Sequence, residues 1–254
     1  MSKQNKQPYG TVLIKANQIL LYLAECQEPQ RLYQIVEHTN LTNSTASKIL
    51  NTLEIIGYVQ RNPNNQEFSL GPTLTRFAQR SIEQMDIKEV SRTHLQQLQE
   101  ATMETIHLGI MDHNRVVYIE KIESKNPVNL SSQIGKSIPL YCSAMGKALL
   151  ADLPDEKFEE YLQKNELLPK TAQTITSKTD LKKEIKRIRN LGYAFDDAEH
   201  EEDVFCVGAS ITVNGRNFGA FSVSVPKYRL TTQLLTKIID EVQTCKQNII
   251  ADLS

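Results

Sequence analysis

In the stretch "VFCVGASITVNGRNFGAFSVSV", residues 204–225 of this 254-residue chain, side-chain alternation separates two kinds of chemistry. Cys206, Gly208, Ser210 and Thr212 fall on one face of a strand, and Phe205, Val207, Ala209, Ile211 and Val213 on the other. The next run repeats the division, with Ala220, Ser222 and Ser224 against Phe221, Val223 and Val225. Matching like faces across the pair sets Cys206 opposite Ser224 and Gly208 opposite Ser222, which predicts a connecting loop with an odd number of residues. One face is then core. The other, a thiol among hydroxyls with room beside it, suits either a small polar ligand or a helix packed closely over small residues. Two neighbouring stretches favour a ligand. In "PLYCSAMGKALLA" Ser143 is placed to cap a helix whose first amides, at Ala144 and Met145, can hold an anion. In the acidic "GYAFDDAEHEED", Asp196 or Asp197 can accept from hydroxyls. A ligand with one carboxylate and one or more hydroxyls answers both.

A second group lies in "NLTNSTASKILNTLEIIGYVQR", residues 40–61. Ala46, Ile49, Leu50, Leu53 and Ile56 recur at helical spacing, forming a core face that Gly57 stops. The opposite face carries Thr45, Ser47, Lys48, Asn51 and Thr52, with no carboxylate before Glu54. Hydroxyls, amides and a cation suit base edges and phosphates. Ser44 is the expected N-cap, and Thr42 and Asn43 in the preceding polar turn extend the contact set.

Other constellations point to other chemistry. Cys206 with His107, His200 and Asp196 has the residue types of a nucleophile, base and orienter, and Asp196, His200 and Cys206 those of a zinc site. No spacing places a His beside the Cys. Cys26, Cys142, Cys206 and Cys245 form no C-x-x-C pair, so reduced thiols are expected in place of a disulfide framework or zinc knuckle. His38, His94 and His113 read as surface or helix-face residues. Neither a cofactor nor a bound metal is expected, and the chain is read as a non-enzyme.

The elements that position these groups divide in two. Leu13, Ala16, Leu20 and Leu23 mark one helix, and Leu32, Ile35 and Val36 a second beyond Pro29; residues 40–57 supply the third. "YVQR", an Asn-rich loop containing Pro63, and "EFSL" then form a hairpin with Arg61 at its base. Three helices followed by a hairpin make a winged helix, whose third helix enters the major groove and whose wing meets phosphate. From Pro72 a linker helix over 73–85 precedes a region with two antiparallel hairpins, one turning at Asp112-His113-Asn114 and one at Asn214-Gly215. Helices are expected at 145–152, 155–164, 179–190 and 231–252. The fold class is α+β with a largely antiparallel sheet, in three parts: 1–72, 73–85 and 86–254.

Composition agrees: with 40% hydrophobic and 23% charged residues, the chain is long enough for two globular domains. Residues 1–80 carry eight Lys and Arg against five acids, so the net charge of −1 divides into a basic head at +3 and a body at −4. No apolar run is long enough for a membrane span, and "MSKQNKQPYG" has no apolar region of a signal peptide, so a cytoplasmic protein without a membrane partner is expected.

Over essentially its whole length the chain resembles the IclR family of bacterial transcription regulators. The resemblance rests on the winged-helix stretch of residues 40–61, "LG" at residues 70 and 71, "GKSIPLYCSAMGKALLA", "GYAFDDAEHEEDVFCVGASI" and "GAFSVSVP". It implies an N-terminal DNA-binding domain, a C-terminal GAF-like effector domain, assembly as a homodimer or dimer of dimers, an operator of double-stranded DNA, and response to a small organic acid. Carried over by motif, the effector contacts are the amides of Ala144 and Met145 and the side chains of Asp196, Cys206, Ser222 and Ser224. The implied DNA contacts are Thr42, Asn43, Ser44, Thr45, Ser47, Lys48, Asn51 and Arg61.

Overall fold

The computed structural model describes residues 10–83, 86–126 and 132–254. The chain divides into two compact units, Met1–Gln84 and Met85–Ser254.

The first unit contains α1 (Thr11–Glu25), α2 (Leu32–Thr39), α3 (Asn43–Ile55), β1 (Val59–Arg61), β2 (Phe68–Leu70) and α4 (Thr73–Glu83). Its core gathers Ile19, Leu23, Ile35, Leu50, Leu53 and Phe68. The register Val59↔Leu70 and Arg61↔Phe68 builds the wing, and Gln30 adds a bridge to Phe68 that no alternation in the sequence announces. Gly57 ends the third helix at φ 76°, a left-handed conformation that glycine adopts without strain. Three expectations fail here. The N-cap of α3 is Thr42, whose extended backbone (φ −73°, ψ 150°) lets its hydroxyl accept from the Thr45 amide at 3.3 Å, so Ser44 lies inside the first turn. Leu13 is 71% exposed, because the buried stripe of α1 runs through Ile19 and Leu23. Ile56, beyond the last turn of α3, is 46% exposed, since the chain turns away from the helix path at Gly57.

The second unit runs α5 (Asp86–Thr102), β3 (Thr105–Asp112), β4 (Arg115–Ile122), β5 (Ser137–Pro139), α6 (Ala144–Asp152), α7 (Asp155–Lys164), α8 (Lys178–Leu191), β6 (Ala194–Asp197), β7 (Val204–Val213), β8 (Arg216–Pro226) and α9 (Thr232–Leu253). Among the described residues its strands form one antiparallel sheet, ordered β5-β4-β3-β8-β7-β6. The apolar face of β7 and β8, including Val207, Phe221 and Val223, packs with Leu95 and Leu98 of α5 and Ile238 and Val242 of α9. On the opposite face, α6, α7 and α8 close a second core around Tyr118, Leu149, Phe158 and Ile185.

Cys206 pairs with Ser224 and Gly208 with Ser222, as face matching requires. The odd loop is absent. Val213 pairs with Arg216 around a two-residue Asn214–Gly215 turn, both residues at positive φ (50° and 76°), and the extra residue is taken up by a bulge where Ile211 pairs with Gly219 but Thr212 with Asn217. Asn-Gly is strongly suited to a two-residue hairpin turn, so the parity mismatch moves into the strand.

Candidate DNA-reading groove and effector cavity

In the first unit, Asn40 ends α2 in the left-handed region (φ 53°), and the chain re-enters a helix at Thr42 after a short turn. Thr42, Asn43, Ser44, Lys48, Asn51 and Arg61 are exposed, and Thr45 and Ser47 half-buried. Asn43, Ser47 and Asn51 of α3 line one side of an open groove, with Arg61, Asn64 and Asn65 of the wing on the other. Arg61 holds its guanidinium 5.3 Å from the centre of the Phe68 ring, a cation–π contact that fixes the wing base. The groove also takes in Arg31 and Tyr33 from the start of α2, which sequence patterning did not select; Arg31 reaches Glu67 on the wing at 3.3 Å.

In the second unit, all six residues anticipated for a ligand line a single cavity: Ala144, Met145, Asp196, Cys206, Ser222 and Ser224. Ser143 caps α6, its hydroxyl accepting from Gly146 N at 3.2 Å and donating to Pro139 O at 2.8 Å, so it is engaged in holding the helix start. Ala144 and Met145 of that first turn line the cavity, where a helix N-terminus brings partial positive charge. Helix packing over small residues also occurs, at a different point of the strand. A Cβ on Gly208 would lie 2.9 Å from Ala144 C and Met145 N, so this glycine brings the helix start against the sheet while Cys206, Ser222 and Ser224 stay beside open space.

Asp196 lies one residue before the end of β6 and is 5% exposed. Its Oδ1 accepts from the backbone amides of Glu199 at 2.7 Å and His200 at 3.3 Å, which leaves Oδ2 for a ligand. Burial pushes its pKa up to about 7, against the two amide bonds that stabilise the anion; Glu199 adds to the rise and Lys147 opposes it. Behind it sits Lys147 of α6, 1% exposed, which pairs with Glu199 and approaches Glu184 of α8 at 4.0 Å. The loop carrying Glu199 is pinned again by Thr174, whose hydroxyl donates to Glu199 O at 2.6 Å. Lys147 falls within an apolar helical run, and helical periodicity alone would have assigned it to solvent.

The remaining wall is polar. Cys206 Sγ lies 3.2 Å from Ser224 Oγ, which lies 3.2 Å from His107 Nδ1; His107 Nε2 lies 2.7 Å from Ser132 Oγ. Burial lowers the His107 pKa to about 3, so the ring is neutral and serves as one donor and one acceptor. His107, Tyr118 and His200 share this cavity; none is among the expected effector contacts, and the two histidines enter the sequence reading only as a base or a zinc ligand.

The two other constellations do not assemble. Ser224 stands between Cys206 and His107, and burial, followed by the nearby Asp196 charge, raises the Cys206 pKa, the opposite of an activated nucleophile. His200 directs Nδ1 toward Cys142 Sγ at 3.9 Å, and among the described residues no three His, Cys, Asp or Glu side chains gather as metal ligands. No helix among them is long and apolar enough to cross a membrane.

Comparison with known proteins joins the two units in one family. The IclR helix-turn-helix domain matches residues 12–63, and the C-terminal region of the bacterial transcriptional regulator IclR matches residues 79–251. Among curated relatives, the HTH-type transcriptional regulator KdgR of Escherichia coli is 29% identical over 98% of this chain and 95% of its own length. XynR, an HTH-type transcriptional regulator of the same organism, is 31% identical over 90% and 91%. Relatives at 26% identity include proteins named as repressors. The crystal structure of Thermotoga maritima IclR superposes with a TM-score of 0.70 at 31% identity, covering 96% of this chain and 99% of that one. A winged helix with a polar recognition face, and a sheet-borne cavity whose cysteine is not activated, are the parts of a regulator, and the chain belongs to the IclR family of bacterial transcriptional regulators.

Proposed function

We propose that the protein is a cytoplasmic repressor that binds a pseudo-palindromic operator as a homodimer or dimer of dimers and changes its grip when a small hydroxy- or keto-acid, sugar acids included, enters the second unit. Residues 1–72 read DNA, 73–85 form the linker helix and 86–254 the GAF-like effector domain; residues 84 and 85 of that linker lie outside the described residues. The observation that carries the effector reading is the meeting, in one cavity, of a helix N-terminus with a buried Asp196 and a row of hydroxyls. The amides at Ala144 and Met145 take the carboxylate. Ser222, Ser224 and Asp196 Oδ2 take the hydroxyl or keto oxygens, and Cys206 contacts the ligand without reacting. A second carboxylate would meet Asp196 and is disfavoured.

The test is a thermal-shift screen of the full chain against mono- and dicarboxylic acids with and without hydroxyls. A matching monocarboxylic hydroxy- or keto-acid at about 100 times its Kd should raise the midpoint by about 5–10 °C. The shift should vanish in Asp196→Ala and in the Ser222→Ala/Ser224→Ala double variant. If dicarboxylates without hydroxyls are the stabilising class, or the shift survives both variants, the cavity is misassigned.

A further inference from the structure

The groove of the first unit has a chemistry that narrows the operator. On its α3 side stand Asn43, Ser47 and Asn51, at i, i+4 and i+8, so the helix meets the groove with amides and a hydroxyl; Lys48, the cation of α3, is not among the groove residues. Among the described residues, the cations lining the groove are Arg31 and Arg61. Arg31 is paired with Glu67, and Arg61 lies over Phe68. The asparagines differ in their availability. Asn62 and Asn65 build the wing loop, Asn62 Oδ1 accepting from Asn64 N at 2.9 Å while Asn65 accepts from Glu67 N at 3.2 Å and donates to Glu67 Oε2 at 2.7 Å. Asn43 and Asn51 are exposed, and neither side-chain amide makes a hydrogen bond among the described residues.

A free carboxamide in the major groove pairs bidentately with adenine, its nitrogen donating to N7 and its oxygen accepting from the N6 amino group, whereas guanine is read by Arg or Lys through O6 and N7. Resting on the reading of α3 as the DNA-contacting helix, we infer that each operator half-site carries two adenines, one under Asn43 and one under Asn51. Eight residues of helix span about 12 Å. At about 3.4 Å per base step, the two adenines are no more than about four base pairs apart.

Selection of binding duplexes from a randomised pool by the full-length protein, at fixed salt, tests this. Two adenine-enriched positions within that spacing are expected in each half-site. Asn43→Ala and Asn51→Ala should each erase the preference at one of the two positions, lowering affinity for the selected site about 5- to 150-fold while leaving the other position unchanged. Asn51→Gln, which restores a carboxamide, should recover the adenine preference; circular dichroism confirms that each variant keeps its helices. Guanine at either position, or adenine preferences that survive both alanine variants, overturns the inference while leaving α3 as the DNA-contacting helix. A pool that yields no enriched sequence overturns both.

Discussion

Lys147 gives up the hydration of its ammonium group inside the second unit, at a cost of several kcal/mol that the Glu199 carboxylate must offset. Replacing one partner leaves the other charge buried. Lys147→Met should therefore destabilise the protein by about 3–5 kcal/mol, and Lys147→Met/Glu199→Leu should recover most of the loss. Thermal unfolding of the second unit in the full chain measures both, and equal loss in the single and double variants would refute the pairing argument. Asp196 gives a pH signature of definite sign. Its pKa is raised from 3.8 to about 7 on folding, chiefly by burial, so the native state holds its proton over a range where the unfolded chain has released it. That contribution is complete below about pH 4 and is lost as pH rises through 7, with an upper bound of about 4 kcal/mol. Asp196→Asn, whose side-chain oxygen can still accept the two amides, should unfold at a higher temperature than the parent at pH 8 and at nearly the same temperature at pH 4. Differential scanning calorimetry at the two pH values decides; a parent stabilised by raising the pH through this window relative to the variant would reverse the sign.

At the scale of elements, small residues decide where helices start and how closely they approach. Thr42 satisfies one amide of α3, so Thr42→Ala should cost about 1 kcal/mol and Ser44→Ala much less, a difference that chemical denaturation of the first unit resolves. Gly208→Ala is the corresponding test in the second unit. The new methyl would press on the backbone at Ala144 and Met145, so α6 must shift, with about 1–3 kcal/mol of destabilisation and weaker effector binding. Isothermal titration would expose the error if affinity were unchanged. These cases also mark what patterning could read. Alternation made the Cys206–Ser224 and Gly208–Ser222 pairing legible because both strand faces are chemically uniform, and the helices of residues 144–253 are periodic enough to be placed within a residue or two. The N-cap of α3 was ambiguous because Thr42, Asn43, Ser44 and Thr45 can all cap. The short β5 and β6 were not recognised, for three or four residues carry too little alternation to announce a strand. The bulge escaped because a parity mismatch can be absorbed in a loop or in a strand. His107 and Lys147 were missed as cavity-wall and ion-pair residues because polar side chains on buried elements acquire their role only from partners distant in sequence.

For the whole molecule, the proposed function places affinity in the unit whose residues 1–80 carry a net charge of +3 and response in the unit that follows. If Lys48 and Arg61 contact phosphate, they should act without regard to sequence. Replacing either by Ala should weaken binding to operator and unrelated duplex alike and reduce the salt slope by about 1 per lost contact. A two-fold assembly should protect two half-sites related by the same symmetry; sedimentation as a monomer together with a footprint on one unrepeated half-site would refute it. The effector side makes the complementary prediction. Asp196, Ser222 and Ser224 lie in the second unit, and the polar stripe of α3 in the first. Under the proposed function, removing these side chains takes away the differential binding energy through which a ligand shifts the regulator between states, but no contact with DNA. Asp196→Ala, or Ser222→Ala with Ser224→Ala, should bind operator nearly as the parent does without effector and fail to respond when the acid is added. Cys206→Ser should retain most of the response, because a hydroxyl can replace the thiol as a contact but not as a nucleophile. Fluorescence anisotropy of a labelled operator, titrated with and without acid, reads all of these. Loss of response in Cys206→Ser, with normal response in Asp196→Ala, would require a covalent effector in place of the bound one.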